Sequence, residues 1–380
     1  MPAISVLIKP ASGNCNMHCD YCFYCDEIRK RGQSSYGMMS LPTLKNVIKR
    51  TLMRAEGSYS IAFQGGEPTL CGLDFFREMT GYVEKYNRNN VSVSYALQTN
   101  GYAIDEAWAA FLKEKGFLVG VSVDGTAAIH NAYRHGNDGG DSYAHIMRTA
   151  ELFDRYGVDY NILTVVHRKT AENIRQIYAD YMARGWNYMQ FIACLDPLNE
   201  PRGQKEYSLT PQLYGRFLID LFELWYADYR RRNAPYIRQF DNYLMMLRGF
   251  PPEACDQIGT CGIQYVVEAN GSVYPCDFYV LDEYRLGNFN DDLLPAIDEA
   301  RRQIGFVQAS KDKPEMCRNC EWYELCRGGC RRCRYTAFDV NSAKEAAGPA
   351  CEEGLNYFCE SYKMFFEACG ERLFEMARGR

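Results

Sequence analysis

From residue 4 to residue 196, short apolar runs alternate with segments of helical periodicity, and this alternation limits the fold more than any other feature. The runs are ISVLIKP (4–10), SIAFQGGEP (60–68), VSVSYALQTNG (91–101), FLVGVSVDG (117–125), DYNILTVVH (159–167) and NYMQFIACLD (187–196). Residues 41–56, 75–86, 105–116, 143–157 and 171–185 read as helices between them. Ser40 is the N-cap of the first, with Pro42 in its opening turn, and Gly116 closes the third. Successive parallel strands need helical crossovers, so these β-α units predict an α/β fold with a parallel sheet curled toward a barrel. Sites in such folds lie at the C-terminal ends of strands. The loops there are CNMHCDYC, QGGEP, QTNG, SVDG, HRKT and CLDP, rich in Gly, polar residues and Cys.

Residues 197–209 read as a linker, and two helices, 211–232 and about 235–248, lead into a cysteine-rich end. With 43 Lys+Arg against 48 Asp+Glu, the net charge of −5 argues against a nucleic acid as the main partner. No stretch approaches the ~18 apolar residues of a membrane span. The first residues, MPAISVLIKPASG, lack a basic leader and end their apolar run at Lys9. A cytoplasmic, membrane-free protein is expected. Seventeen cysteines then need an account other than disulfides, which that compartment disfavours.

The cysteines are grouped. Cys15, Cys19, Cys22 and Cys25 cluster at the front, Cys71 and Cys194 stand alone, and eleven lie between Cys255 and Cys369. A site with four protein thiolates is closed. Three thiolates on one loop, C-x₃-C-x₂-C, can bind three irons of a 4Fe–4S cluster and leave the fourth iron open for a ligand. The competing reading is a zinc knuckle that recruits Cys25 as fourth ligand.

The spacing Cys15, Cys19, Cys22, placed after the first strand, resembles the signature of the radical S-adenosylmethionine superfamily. QGGEP (64–68) resembles that family's GGE motif, whose backbone meets the amino group of S-adenosylmethionine; glycine allows such close approach. The resemblance also implies cofactor contacts at Tyr21, Gly66, Ser122, Arg134 and Leu195. Strand-end packing is the plain alternative for Ser122 and Leu195, and a solvated charge for Arg134. The implied chemistry is reductive cleavage of the sulfonium to a 5′-deoxyadenosyl radical that abstracts an unactivated hydrogen.

CRNCEWYELCRGGC (317–330) resembles the SPASM pattern of peptide-modifying radical enzymes, which supplies ligands to two auxiliary 4Fe–4S clusters. By that resemblance the first takes Cys255, Cys261, Cys276 and Cys330, and the second Cys317, Cys320, Cys326 and Cys359. Cys333 competes with Cys330, and Cys351 with Cys359. Zinc ribbons are the alternative. The implied architecture is a partial (β/α)6 TIM-like barrel with its linking helix (1–235), followed by a C-terminal SPASM iron–sulfur domain (236–380).

IKPASGNCNMHCDYCFY, FQGGEPTL, LQTNG, VSVDG, GSVYPCDFYVL and CRGGCRRCR together resemble the anaerobic sulfatase-maturating enzymes. The resemblance implies oxidation of a Cys or Ser in a sulfatase polypeptide to Cα-formylglycine. In this scheme the radical takes a Cβ hydrogen, Asp277 accepts the proton, and the electron passes to an auxiliary cluster. It implies a substrate motif of the Cys/Ser-x-Pro/Ala-x-Arg type and an electron donor such as flavodoxin or ferredoxin. Tyr24, Gln64 and Gln98 are expected near the same mouth, as substrate contacts or as packing. Residues 337–354 are longer than the family pattern. Rival readings are another SPASM peptide maturase, forming thioether crosslinks or epimers, and a non-catalytic iron–sulfur or zinc module.

Overall fold

The computed structural model describes residues 3–137, 139–345 and 352–379. Cys351, the competing ligand, lies outside them. In chain order the strands are β1 (Ile4–Lys9), β2 (Met17–Cys19), β3 (Ser58–Phe63), β4 (Ser92–Thr99), β5 (Phe117–Ser122), β6 (Arg134–Gly136), β7 (Asp159–Val166), β8 (Tyr188–Ala193), β9 (Tyr236–Ile237), β10 (Tyr265–Glu268), β11 (Ser272–Tyr274) and β12 (Gly287–Asn288). The chain divides into two compact units whose segments interleave in sequence. One comprises residues 1–122, 134–161 and 263–306; the other comprises 123–133, 162–262 and 307–380.

In the first unit the strand order is β12-β11-β10-β1-β3-β4-β5. From β10 to β5 the pairs are parallel, and β11 and β12 add antiparallel. β1 is central and buried on both faces, which is why it reads as a continuous apolar run rather than an alternating one. Its last residue, Lys9, is fully buried. The helix Leu41–Leu52 starts as expected: the Ser40 side chain accepts from the Thr43 amide, and Leu44, Val47, Ile48 and Leu52 form its buried stripe. Phe63, Phe76 and Phe117 pack in one core, with ring centroids 4.8 Å (Phe63–Phe76) and 6.5 Å (Phe76–Phe117) apart. Burying each ring contributes about 1.5–3 kcal/mol.

The alternation of sequence 4–125 shows up as β1, β3, β4 and β5. The addition of β10–β12 beside β1 is not visible in it. A second short ribbon, β2 with β6, pairs antiparallel with Cys19 opposite Arg134.

The second unit contains β7 from Ile162 onward, β8 and β9 in parallel order. The predicted helix over 171–185 is two helices, Arg168–Glu172 and Ile174–Ala183. The predicted linker has neither helix nor strand but is tied down by Asp196, which accepts from the Gly203 amide (2.8 Å) and from the Ser208 hydroxyl. The long helices Pro211–Arg230 and Cys359–Ala377 pack through Phe222 and Phe365, whose rings lie 5.8 Å apart.

Candidate functional site

The loop after β1 carries Cys15, Cys19 and Cys22, and backbone hydrogen bonds hold it to the Gly-Gly turn. The Gly66 amide donates to Ser12 O (2.9 Å) and the Glu67 amide to Asn14 O (2.8 Å). A Cβ on Gly66 would lie 1.9 Å from Asn14 O, so only glycine fits. Gly65, at φ +120°, lies against Lys9.

Glu67 is 1 % exposed and anchors three segments. Its Oε1 accepts from the Thr69 amide and hydroxyl and from the Thr99 hydroxyl, and its Oε2 from the Asn100 amide (2.8 Å). Burial pushes this carboxyl up, and the donors pull it back. Asn100, thus fixed, donates to Asn16 Oδ1 (2.7 Å) and Cys15 Sγ (3.7 Å). The second and third predicted loops therefore support the first. Glu67 and Asn100 stand inside the quoted motifs, yet their polarity alone did not reveal this bracing role.

Of the predicted cofactor contacts, Tyr21, Gly66, Ser122 and Arg134 fall in this unit. Arg134 and Tyr21, each 7 % exposed, meet directly: Arg134 Nη1 donates to the Tyr21 hydroxyl at 2.8 Å. The Arg134 charge also reaches Cys15 and Cys22 and favours their thiolates. Burial nevertheless pushes Cys15 up to about 11. The Ser122 hydroxyl accepts from Gln98 Nε2 (3.0 Å), which ties down one of the expected substrate contacts. Leu195 follows β8 in the other unit, next to buried Cys194. Cys25 is a hydrogen-bond partner of Cys22: this contact holds Cys22 low and pushes Cys25 up.

Asp277 opens a short turn after β11, directly behind Cys276. Its Oδ1 lies 2.5 Å from Lys9 Nζ. Lys9 in turn sits 3.8 Å from the centroid of the Tyr24 ring. Tyr24 is 2 % exposed and donates to Glu268, which also accepts from Arg31 Nη1 at 2.8 Å. Burial and the Glu268 charge hold the Tyr24 phenol well above its ordinary range, so it stays protonated. Tyr24 is thus held in place between Lys9 and Glu268. Lys9, Arg31 and Glu268 were missed in the sequence; only the odd charge ending an apolar strand hints at Lys9.

In the second unit Cys317, Cys320, Cys326 and Cys359 line one cavity, together with Trp322 and Lys363. Burial pushes Cys326 up to about 12, and the charges of Cys317, Cys359 and Cys320 add to this. The indole N–H of Trp322 is buried without a hydrogen-bond partner among the described residues. Four converging thiols and an orphaned donor fit an anionic iron–sulfur cluster. Cys255, Cys261 and Cys330 also lie within electrostatic reach of one another, with Cys333 hydrogen-bonded to Cys330. Cys276 is in the first unit. Among the described residues no three thiol, imidazole or carboxylate groups are placed to hold a single metal ion.

Two family models match: the radical SAM superfamily over residues 10–181, and the SPASM iron-sulfur cluster-binding domain over residues 259–321. Fold and matches together define an α/β enzyme of the radical SAM superfamily, with a partial, unclosed parallel sheet and a SPASM domain, that uses S-adenosylmethionine and 4Fe–4S clusters. The cysteine-type anaerobic sulfatase-maturating enzyme of Clostridium perfringens is 45 % identical over 377 residues, 99 % of either chain. A serine-type enzyme of Bacteroides thetaiotaomicron is 28 % identical, covering 95 % of this chain and 88 % of its own. A solved structure of native anSMEcpe with bound AdoMet and Cp18Cys peptide superposes with a TM-score of 0.91 at 44 % identity, covering 100 % of this chain and 99 % of that one. The chain belongs to the anaerobic sulfatase-maturating enzymes.

Proposed function

We propose that this enzyme oxidises a cysteine of a sulfatase polypeptide, in a Cys-x-Pro-x-Arg type motif, to Cα-formylglycine. The observation that carries this reading is the Asp277 carboxylate, set against buried Lys9 in the same compact unit as the three-cysteine loop and the Gly-Gly turn that braces it. The higher identity to cysteine-type relatives (45 % against 28 % to 30 % for serine-type ones) supports a thiol target.

Cys15, Cys19 and Cys22 would hold the cluster that binds S-adenosylmethionine, with Tyr21, Gly66, Ser122, Arg134 and Leu195 around the cofactor. Cys255, Cys261, Cys276 and Cys330 would hold one auxiliary cluster; Cys317, Cys320, Cys326 and Cys359 would hold the other. When bound, these groups supply a carbon radical able to take a Cβ hydrogen and a sink for the electron left behind. The chain's own work is proton handling and placement. Asp277 takes the substrate thiol proton on its carboxylate. Lys9 fixes that carboxylate and balances its charge, and Tyr24 and Glu268 fix Lys9. Arg134 and Tyr21 form a preset polar pair beside the cysteine loop.

Flavodoxin or ferredoxin in the cytoplasm would supply the reducing electron. A functional division near residue 235, between catalytic and cluster-bearing parts, belongs to the same proposal. Among the described residues no helix is long and apolar enough to cross a membrane.

The test is anaerobic reconstitution with a peptide bearing Cys-x-Pro-x-Arg, read by mass spectrometry. Conversion of the cysteine to formylglycine supports the proposal. 5′-Deoxyadenosine release with the peptide unoxidised would favour another peptide maturase.

A further inference from the structure

Arg301, on the helix Leu294–Gln303, is 4 % exposed. Its Nε, Nη1 and Nη2 are all buried without a hydrogen-bond partner among the described residues. A buried guanidinium with no acceptor is costly, and proteins keep such charges only when something pairs them. The protein supplies a partial substitute: the guanidinium carbon lies 4.9 Å from the centroid of the Tyr265 ring. Asp298, the carboxylate whose charge reaches Arg301, accepts the Tyr265 hydroxyl at 2.6 Å. The remaining group within electrostatic reach is Cys276. Antiparallel pairing of Val266 with Tyr274 brings Tyr265 alongside the chain just ahead of Cys276. All these residues lie in one compact unit.

A four-thiolate 4Fe–4S cluster is an anion whose sulfurs accept hydrogen bonds, and such bonds raise its potential. We propose that Arg301 is the charge partner of the auxiliary cluster ligated by Cys276, donating to its sulfurs and drawing its reduction potential upward. This rests on the assignment of Cys276 as a ligand. The consequence is a cluster biased to accept the electron released when the substrate radical collapses to product.

The test is a potentiometric titration followed by electron paramagnetic resonance on the reconstituted full chain. Cys15, Cys19 and Cys22 are replaced by alanine to remove the third signal. In Arg301→Met one auxiliary midpoint should fall by at least 59 mV, a tenfold change in a one-electron equilibrium. The other midpoint should stay fixed, and Arg301→Lys should recover part of the fall. Both midpoints unchanged at full iron content would overturn the proposal.

Thermal unfolding gives a second readout if the variant loads poorly. Cluster-free Arg301→Met should be at least as stable as its cluster-free parent, because an unpaired charge has been removed. A less stable cluster-free variant would show a merely structural role and overturn the proposal. Full auxiliary iron content in Cys276→Ala would overturn the ligand assignment itself, separately from the role of Arg301.

Discussion

Lys9 Nζ and Asp277 Oδ1 lie 2.5 Å apart although 268 positions separate them in sequence, the lysine fully buried and the aspartate 15 % exposed. Lys9 ends β1 and Asp277 opens the short turn after β11; β10 lies between those strands, paired with β1 on one side and with β11 on the other. The ion pair gives the acid a fully buried partner.

Asp277→Asn should retain reductive cleavage of S-adenosylmethionine and lose formylglycine by roughly 10²-fold or more, the scale of a missing general base. Chromatography of 5′-deoxyadenosine and mass spectrometry of the peptide read the two steps apart. Normal product formation would remove Asp277 from the mechanism.

Lys9→Met should lower product formation by about 10²-fold while leaving cofactor cleavage in place. Combined with Asp277→Asn it should cost no more than Asp277→Asn alone, because the two residues act as one unit. Additive losses in that cycle would mean that Lys9 acts elsewhere.

Gly66→Ala places a Cβ where Asn14 O already stands. The cysteine loop must shift, so iron uptake by the first cluster and binding of S-adenosylmethionine should both fall. Iron analysis and calorimetry measure these; a variant with parental iron and affinity would show that the turn is not built around this contact.

Tyr21→Phe removes the acceptor of the Arg134 bond without removing the ring. The dissociation constant for S-adenosylmethionine should rise about 5–10-fold, the usual worth of one such hydrogen bond at roughly 1 kcal/mol. Unchanged affinity would remove the pair from the cofactor site.

Cys359→Ala should cost about one cluster, roughly four irons, because Cys359 lines the cavity shared by Cys317, Cys320 and Cys326. Cys351→Ala should keep its iron. The reverse pattern would exchange the two assignments.

The cysteine spacing, the Gly-Gly turn and the strand-helix alternation were legible because each is a local pattern whose chemistry or periodicity stands in a few residues. The seating of β10 against β1 was not, since parallel pairing between residues 6–9 and 265–268 leaves no mark in either segment. For the same reason Lys9 read as the end of an apolar run rather than as the partner of Asp277. Tyr24 read as a loop aromatic, and only the buried Glu268 and Arg31 explain why it faces inward. The burial of Arg301 against a ring contributed by a different element leaves no mark in its own segment.

The most direct measurement uses a sulfatase-type peptide whose target cysteine carries deuterium at Cβ. The account predicts that deuterium appears in 5′-deoxyadenosine while the cysteine becomes formylglycine. In Asp277→Asn the same label should appear without that product. Label retained in the peptide, or transferred only from a Cα-deuterated cysteine, would contradict Cβ abstraction and with it the proposed reaction.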